Sequence, residues 1–313
     1  MKDLNNHEDV THRYLLYKIK SIVKLMRPKH YIKNFLIFLP LFFSGELNNI
    51  NKIIVCILGF ISFCLLASVV YIINDLKDIE ADRLNPTKKN RPLASGKIKK
   101  NEAVILLVFL MIFMFLFNII SFKLNYITLN QFIISLGLEC VYLVLNILYS
   151  CGLKNIPIVD IVILVSGFII RMLYGAEITQ IEISNWMYLT VMSGAFYMGL
   201  GKRRNEVIKQ GDKARKVLEK YNKEFLDKFM YVCLVLSIVF YSLWTIDGQT
   251  IERVGSNYMI WTIPLLMIIL MKYSLIIEGD SYGDPVDVLI KDRFLIVLVL
   301  LFVFSMISIL YIL

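Results

Sequence analysis

Apolar runs of roughly twenty residues, each long enough to cross a bilayer as a helix, recur along the chain between short polar links. They predict nine spans, at 32–48, 51–73, 101–122, 126–148, 157–177, 185–201, 229–246, 258–277 and 294–313. Turn residues and charges fall in the gaps. Ser44-Gly45 closes the first run, and Lys123 to Asn125 turns the third into the fourth. A polar link from Tyr149 to Asn155 leads to Pro157, and a charged connector occupies 202–228. The pattern predicts an all-α, polytopic membrane bundle. A polar tail over 1–31 precedes one transmembrane domain over 32–313.

Composition agrees: 58% of the 313 residues are hydrophobic, against roughly 45–50% apolar in soluble domains. The polar stretch from Met1 to Lys29 has no apolar core of a cleavable leader, so none is expected. The net charge of +9 raises nucleic acid as a partner, but its distribution argues otherwise. With the N-terminus inside, 29 lysines and arginines fall in the tail to Lys33 and in the loops 77–100, 149–156, 202–228 and 278–293, against 3 in the opposite loops. That asymmetry is the positive-inside pattern of a bacterial-type inner or plasma membrane protein. It places those loops in the cytoplasm and leaves no soluble domain to hold a duplex. The cysteines Cys56, Cys64, Cys140, Cys151 and Cys233 form no CxxC pair and read as packing residues.

The candidate chemistry begins where the second span ends, at Asn74-Asp75-Leu76-Lys77-Asp78-Ile79-Glu80-Ala81-Asp82-Arg83. If the helix continues, each residue advances about 100°. Asn74, Asp75, Asp78 and Asp82 then share an arc of roughly a quarter turn, and Glu80 faces elsewhere. A carboxylate at membrane depth costs roughly 2.5–3.5 kcal/mol, so three near a helix end belong to a wet cavity. Clustered carboxylate and amide oxygens suit a hard divalent cation, and Mg²⁺ commonly completes its shell with substrate phosphates. Asn74, Asp75, Asp78 and Asp82 are therefore the expected metal ligands. The rise of about 10 Å from Asp75 to Asp82 suggests two ions, or one with water-bridged outer ligands. The helix should stop before Pro86.

The Asn-Asp-x-x-Asp-x-x-x-Asp pattern, followed by Arg83, Pro86, Thr87, Lys88, Arg91, Pro92 and Gly96, resembles the first signature of the UbiA superfamily of intramembrane prenyltransferases. Further stretches resemble its polyprenyl-phosphate phosphoribosyltransferase branch. They are Arg27-Pro28, Lys33-Asn34, the run from Pro40 to Gly45, Tyr149-Ser150 and Leu153 through Asp160. Gly167-Phe168, Arg171, Gly175-Ala176, the run from Lys202 to Glu206, Asp284-Pro285 and the run from Lys291 to Arg293 complete the match. The resemblance implies a nine-helix fold, Mg²⁺, a phosphoribosyl diphosphate donor and a decaprenyl-like polyprenyl phosphate acceptor drawn from membrane lipid. It also implies a place in cell-envelope biosynthesis, and a homo-oligomer is compatible with it.

Aromatic prenyltransferases of the superfamily carry a second Asp-rich motif after the fourth span. Here Asp160 stands almost alone, with the next acid of its span, Glu177, about 25 Å further along the helix. One acidic cluster facing several cations fits a donor with a diphosphate and a further phosphate. The expected catalytic carboxylates are Asp75, Asp78, Asp82 and Asp160. The expected phosphate-binding residues are Lys33, Arg83, Lys88, Arg91, Tyr149, Lys154, Arg171, Lys202 and Arg203. Any of these loop cations could instead serve only as a positive-inside anchor. Arg171 lies half-way along its span, where an unpaired cation is costly, so an acid, water or phosphate should meet it. His7, His12 and His30 all precede the first span. Ribosyl transfer needs no deep general base, because a phosphate monoester is already an anionic nucleophile.

These readings converge on transfer of 5-phosphoribosyl to polyprenyl phosphate, facing the cytoplasm. The nearest rival is a UbiA-type enzyme moving a prenyl group to an aromatic acceptor. An ion-coupled transporter is the other class considered. Such proteins place their acids at the midplane on broken helices within internal repeats, a pattern this chain lacks.

Overall fold

The computed structural model describes residues 15–86, 88–210, 217–279 and 284–312. Residues 1–14 of the polar tail, with His7 and His12, lie outside those residues, as do Thr87 of the acidic motif and parts of the 202–228 and 278–293 loops. The described residues are helical, with turns and no strand. Seven helices are long and apolar enough to cross a membrane: Ile50–Lys77 (α3), Lys100–Lys123 (α5), Leu129–Cys151 (α6), Val159–Thr179 (α7), Lys223–Ile246 (α9), Tyr258–Glu278 and Arg293–Tyr311 (α13). The sixth of these opens as a 3₁₀ turn and continues as an α-helix over Ile263–Glu278 (α11).

Two of the expected spans take other forms. The run at 32–48 passes through a 3₁₀ helix, Pro28–Phe38, and a short α-helix, Leu39–Phe43 (α2), and ends in turns. Pro40 sits in the first turn of α2, where its missing N–H leaves no bond unmade. The chain leaves α2 through Gly45 at φ +81. The run at 185–201 becomes Asn185–Gln210 (α8), which extends the apolar segment straight through Lys202, Arg203 and Arg204. Thr190, Ser193, Gly194 and Gly199 dilute its apolar half.

The expected transmembrane domain packs as two compact units, 1–34 with 57–125, and 35–56 with 126–313. In the first, a helix over 15–26 (α1) joins the later part of α3 and α5. Lys18 bonds Glu102 at 2.6 Å. Ser68 bonds the Met26 carbonyl at 3.1 Å, and Asn118 bonds Ser62 at 2.9 Å. A short helix, Ile79–Leu84 (α4), carries the second half of the acidic stretch.

In the second unit α7 is buried on nearly every face, flanked by α6 and α8, and α8 packs along α9. Ser193 and Ser237 bond at 3.1 Å between α8 and α9, where small residues let the helices approach closely. Gly175 of α7 lies directly against the backbone of Ile37. A Cβ at Gly175 would stand 2.0 Å from the Ile37 carbonyl oxygen. The helices Gly248–Val254 (α10) and Pro285–Lys291 (α12) complete the unit.

Candidate functional site

The acidic stretch bends once. α3 ends at Lys77, and Asp78 takes φ −94 and ψ 12 before α4 begins. Hydrogen bonds with helical spacing still cross the bend, from Asp78 N–H to Asn74 O at 3.0 Å and from Asp82 N–H to Asp78 O at 2.8 Å. The common arc expected for Asp75 and Asp82 therefore survives, and both are buried, at 2% and 3% exposure.

Arginines meet them. Arg91 Nη1 donates to Asp75 Oδ1 at 3.0 Å and to Asp82 Oδ2 at 2.7 Å. Arg27 Nη2 donates to the same Asp75 oxygen and lies over the Tyr71 ring at 4.8 Å. Arg27 adopts φ +56, unusual for a residue with a side chain. A single nitrogen thus reaches both ends of the motif, because the side chains converge although their backbones are two turns apart. A guanidinium nitrogen therefore bridges the carboxylates of Asp75 and Asp82. Among the described residues, no three His, Cys, Asp or Glu side chains stand ready as a cation site.

Arg83 turns away from the acids. Its Nε bonds Ala94 O at 3.2 Å and its Nη1 bonds exposed Glu80 at 3.1 Å. It fastens the loop after α4, whose buried Leu93 and Ala94 and Gly96 at φ +75 form a compact turn. Lys33 is half-buried on the 3₁₀ helix, next to buried Asn34, and Lys88 is half-buried at the start of the loop.

A second polar centre belongs to the other unit. Asp160, in the first turn of α7, is fully buried. Its Oδ2 accepts from Arg203 Nε at 2.6 Å, and its Oδ1 accepts from the Tyr221 hydroxyl at 2.6 Å. Arg203 also donates to Glu206 and, at 3.0 Å, to the Tyr149 hydroxyl. The Ile158 N–H donates to Tyr221 Oη. Burial, and the Asp160 carboxylate that it bonds, push the Tyr221 phenol well above its ordinary range, so it remains a donor. Arg203, expected to present its charge to a phosphate, is instead enclosed at 0% exposure with its guanidinium shared among Asp160, Glu206 and Tyr149. Lys154 is half-buried in the 3₁₀ turn Leu153–Asn155. Lys202 pairs with Asp284 at 3.0 Å.

Arg171 lies deeper in α7. Its Nη2 bonds Tyr142 Oη at 2.9 Å, its Nη1 bonds Gly167 O, and its guanidinium lies 4.8 Å from the Tyr142 ring centre. Gly167 makes room for this: a Cβ there would stand 3.3 Å from Arg171 Nη1. Glu139 is buried one turn before Tyr142 on α6.

Sequence reasoning missed Tyr221, Glu139 and Tyr142, and read Arg27 and Glu206 only as matched positions. Glu139 carried a signal, a lone acid inside an apolar run. Tyr221, an aromatic in a charged connector, carried none.

The sequence profile of the UbiA prenyltransferase family matches residues 35–294. A decaprenyl-phosphate phosphoribosyltransferase of Corynebacterium glutamicum is 32% identical over 302 residues, covering 93% of this chain and 87% of its own length. A protein of the same name from Mycolicibacterium smegmatis is 32% identical, covering 90% of each chain. Among solved structures, a UbiA homologue from Archaeoglobus fulgidus bound to DMAPP and Mg²⁺ superposes with a TM-score of 0.64 at 17% identity. That match covers 94% of this chain and 100% of the other.

Proposed function

The chain belongs to the UbiA prenyltransferase family, and from that footing we infer that it is an integral-membrane phosphoribosyltransferase. It transfers 5-phosphoribosyl from phosphoribosyl diphosphate to a polyprenyl phosphate, giving polyprenyl-phosphoryl-ribose 5-phosphate and diphosphate. The observation that carries this reading is the extended similarity to two phosphoribosyltransferases over nine-tenths of the chain.

The residues of the first unit fit a magnesium ion. Asp75 and Asp82 are buried hard-oxygen donors that already share one cationic nitrogen, and a divalent cation prefers such oxygens. Asp75, Asp82, Asp78 and Asn74 would hold it. Bound there, magnesium supplies positive charge to the diphosphate leaving group. The arginines have a linked role. Arg91 and Arg27, which pair with these acids here, would donate to phosphate oxygens if the carboxylates held a metal, a task for which the guanidinium fork is suited. Arg83 keeps the loop after α4 folded, and we assign it no contact with substrate.

We assign Lys33, Lys88, Lys154 and Lys202 to substrate phosphates. Asp160, Arg203 and Tyr149 act by holding structure. Arg171, whose guanidinium Tyr142 and Gly167 already hold, offers charge at membrane depth for the acceptor phosphate. As the bond from ribose C1 to the leaving oxygen breaks, positive charge grows on the ring, and the acceptor phosphate attacks without giving up a proton. The nine-span count and the cytoplasmic site belong to the same reading.

Purified protein in lipid nanodiscs tests it. Diphosphate release should require phosphoribosyl diphosphate, polyprenyl phosphate and Mg²⁺ together, and stop on chelation. Release without the polyprenyl phosphate, or an equal rate after chelation, would contradict it.

A further inference from the structure

Ile158, the residue before α7, adopts φ +70, a region that a β-branched side chain rarely enters. Such a backbone persists only where its surroundings hold it. Here the Ile158 N–H is held by Tyr221 Oη, and the same hydroxyl donates to Asp160 Oδ1 at 2.6 Å. At the other end of the link, Tyr149 Oη accepts from Arg203 at 3.0 Å, and Arg203 donates to Asp160 Oδ2 at 2.6 Å. Both ends of residues 149–158 are thus tied to one carboxylate, each through a different oxygen. Lys154 lies midway between the ties, in a link whose Gly152 adopts φ +146.

Three features separate this arrangement from ordinary packing. Asp160 and Arg203 are each at 0% exposure, where desolvation offsets the Coulombic gain and makes an ion pair a poor source of stability alone. Tyr221 comes from the distant α8–α9 connector, where Val217, Leu218 and Tyr221 enter the main apolar core of the unit. Both of its hydroxyl bonds go to the start of α7, so its polar atom is directed wholly at the link.

We propose that Tyr221 is a positioning residue for the transfer reaction. With Asp160, Arg203 and Glu206 it closes a buried clasp that fixes the 149–158 link and, through it, the Lys154 ammonium. In this proposal the clasp acts through Lys154 and is assigned no contact with substrate. The role of Lys154 rests on the function proposed above, whereas the clasp itself can be read without any substrate.

Tyr221→Phe removes one hydroxyl and keeps the ring in the core, so the fold should survive. Hydrogen–deuterium exchange of the full-length protein in nanodiscs reads the clasp directly. Peptides covering 149–158 should exchange at least tenfold faster in the variant, with α13 peptides unchanged. Equal exchange over 149–158 would overturn the clasp, whether or not the protein transfers ribosyl.

Kinetics then read the role. Tyr221→Phe should raise KM for phosphoribosyl diphosphate about tenfold and leave kcat within about threefold. In a Lys154→Met background the same change should add less than twofold, because the residue being positioned is already gone. Equal effects in both backgrounds, or a fall in kcat at constant KM, would refute positioning through Lys154. A wild-type protein inactive with phosphoribosyl diphosphate would instead remove the proposed function, and the exchange experiment would still decide the clasp.

Discussion

Asp75 and Asp82 show how far side-chain reach modifies a helical wheel. Their shared arc is readable from spacing alone, and their burial at 2% and 3% exposure agrees with it. The guanidinium between them was not readable, because Arg91 returns to the acids through a loop whose path depends on Arg83 holding Ala94. For the same reason a run of cations in the sequence does not separate Arg91, against the acids, from Arg83, turned outward to Glu80. Asp82→Asn provides the residue-level test. Arg91 keeps Asp75 as a partner, so the variant should insert and melt within a few degrees of the wild type. Its transfer rate should fall by more than the roughly 10–100-fold typical of losing an outer-shell metal partner. Near-normal transfer, measured at saturating Mg²⁺, would remove Asp82 from the metal site.

At the scale of elements, apolar run length identified the seven helices that meet the membrane criteria. It could not distinguish a straight span from the 3₁₀ helix and short α2 that occupy 28–43. Hydropathy counts how apolar a segment is, whereas the form of that segment depends on Pro40 and on what packs against it. Gly175 shows the packing. With its Cβ position 2.0 Å from the Ile37 carbonyl oxygen, Gly175→Ala must displace that backbone. It should lower stability by at least about 1–3 kcal/mol, seen as a lower Tm in detergent. An unchanged Tm would show that the two segments are not in contact. Asp292 caps α13 through Leu295 N–H at 2.8 Å and pairs with Lys272 at 2.9 Å. Lys272 first, and then the helix N–H, hold its carboxyl below the usual carboxylate range. A depressed folded-state pKa contributes stability above the unfolded value, near about 3.9, and loses it as pH falls through the lower folded value. Asp292→Asn should therefore lower Tm at pH 7, and the gap from the wild type should close on acidification below about pH 4. A gap independent of pH would assign the effect to packing.

At the scale of the whole molecule, charge placement carries information that the fold does not. The apolar runs predict nine crossings, and the split of 29 basic residues against 3 predicts that the N-terminus is cytoplasmic. Reporter fusions at Leu124 and Arg253 should then be active only outside the membrane, and fusions at Lys154 only inside. The reverse pattern would invert the orientation, and matching behaviour at Leu124 and Lys154 would remove a crossing. The absence of a second acidic motif, also visible in the sequence, pointed to a sugar phosphate as cargo. The choice of donor is the central claim, and one measurement addresses it most directly. Membranes containing the protein, supplied with Mg²⁺ and polyprenyl phosphate, are given phosphoribosyl diphosphate labelled in the ribose, or in parallel a prenyl diphosphate with an aromatic acid. Label should appear in an acid-labile, solvent-extractable lipid from the first mixture, and no prenylated aromatic should form in the second. No labelled lipid from the first, with a prenylated aromatic from the second, would contradict it.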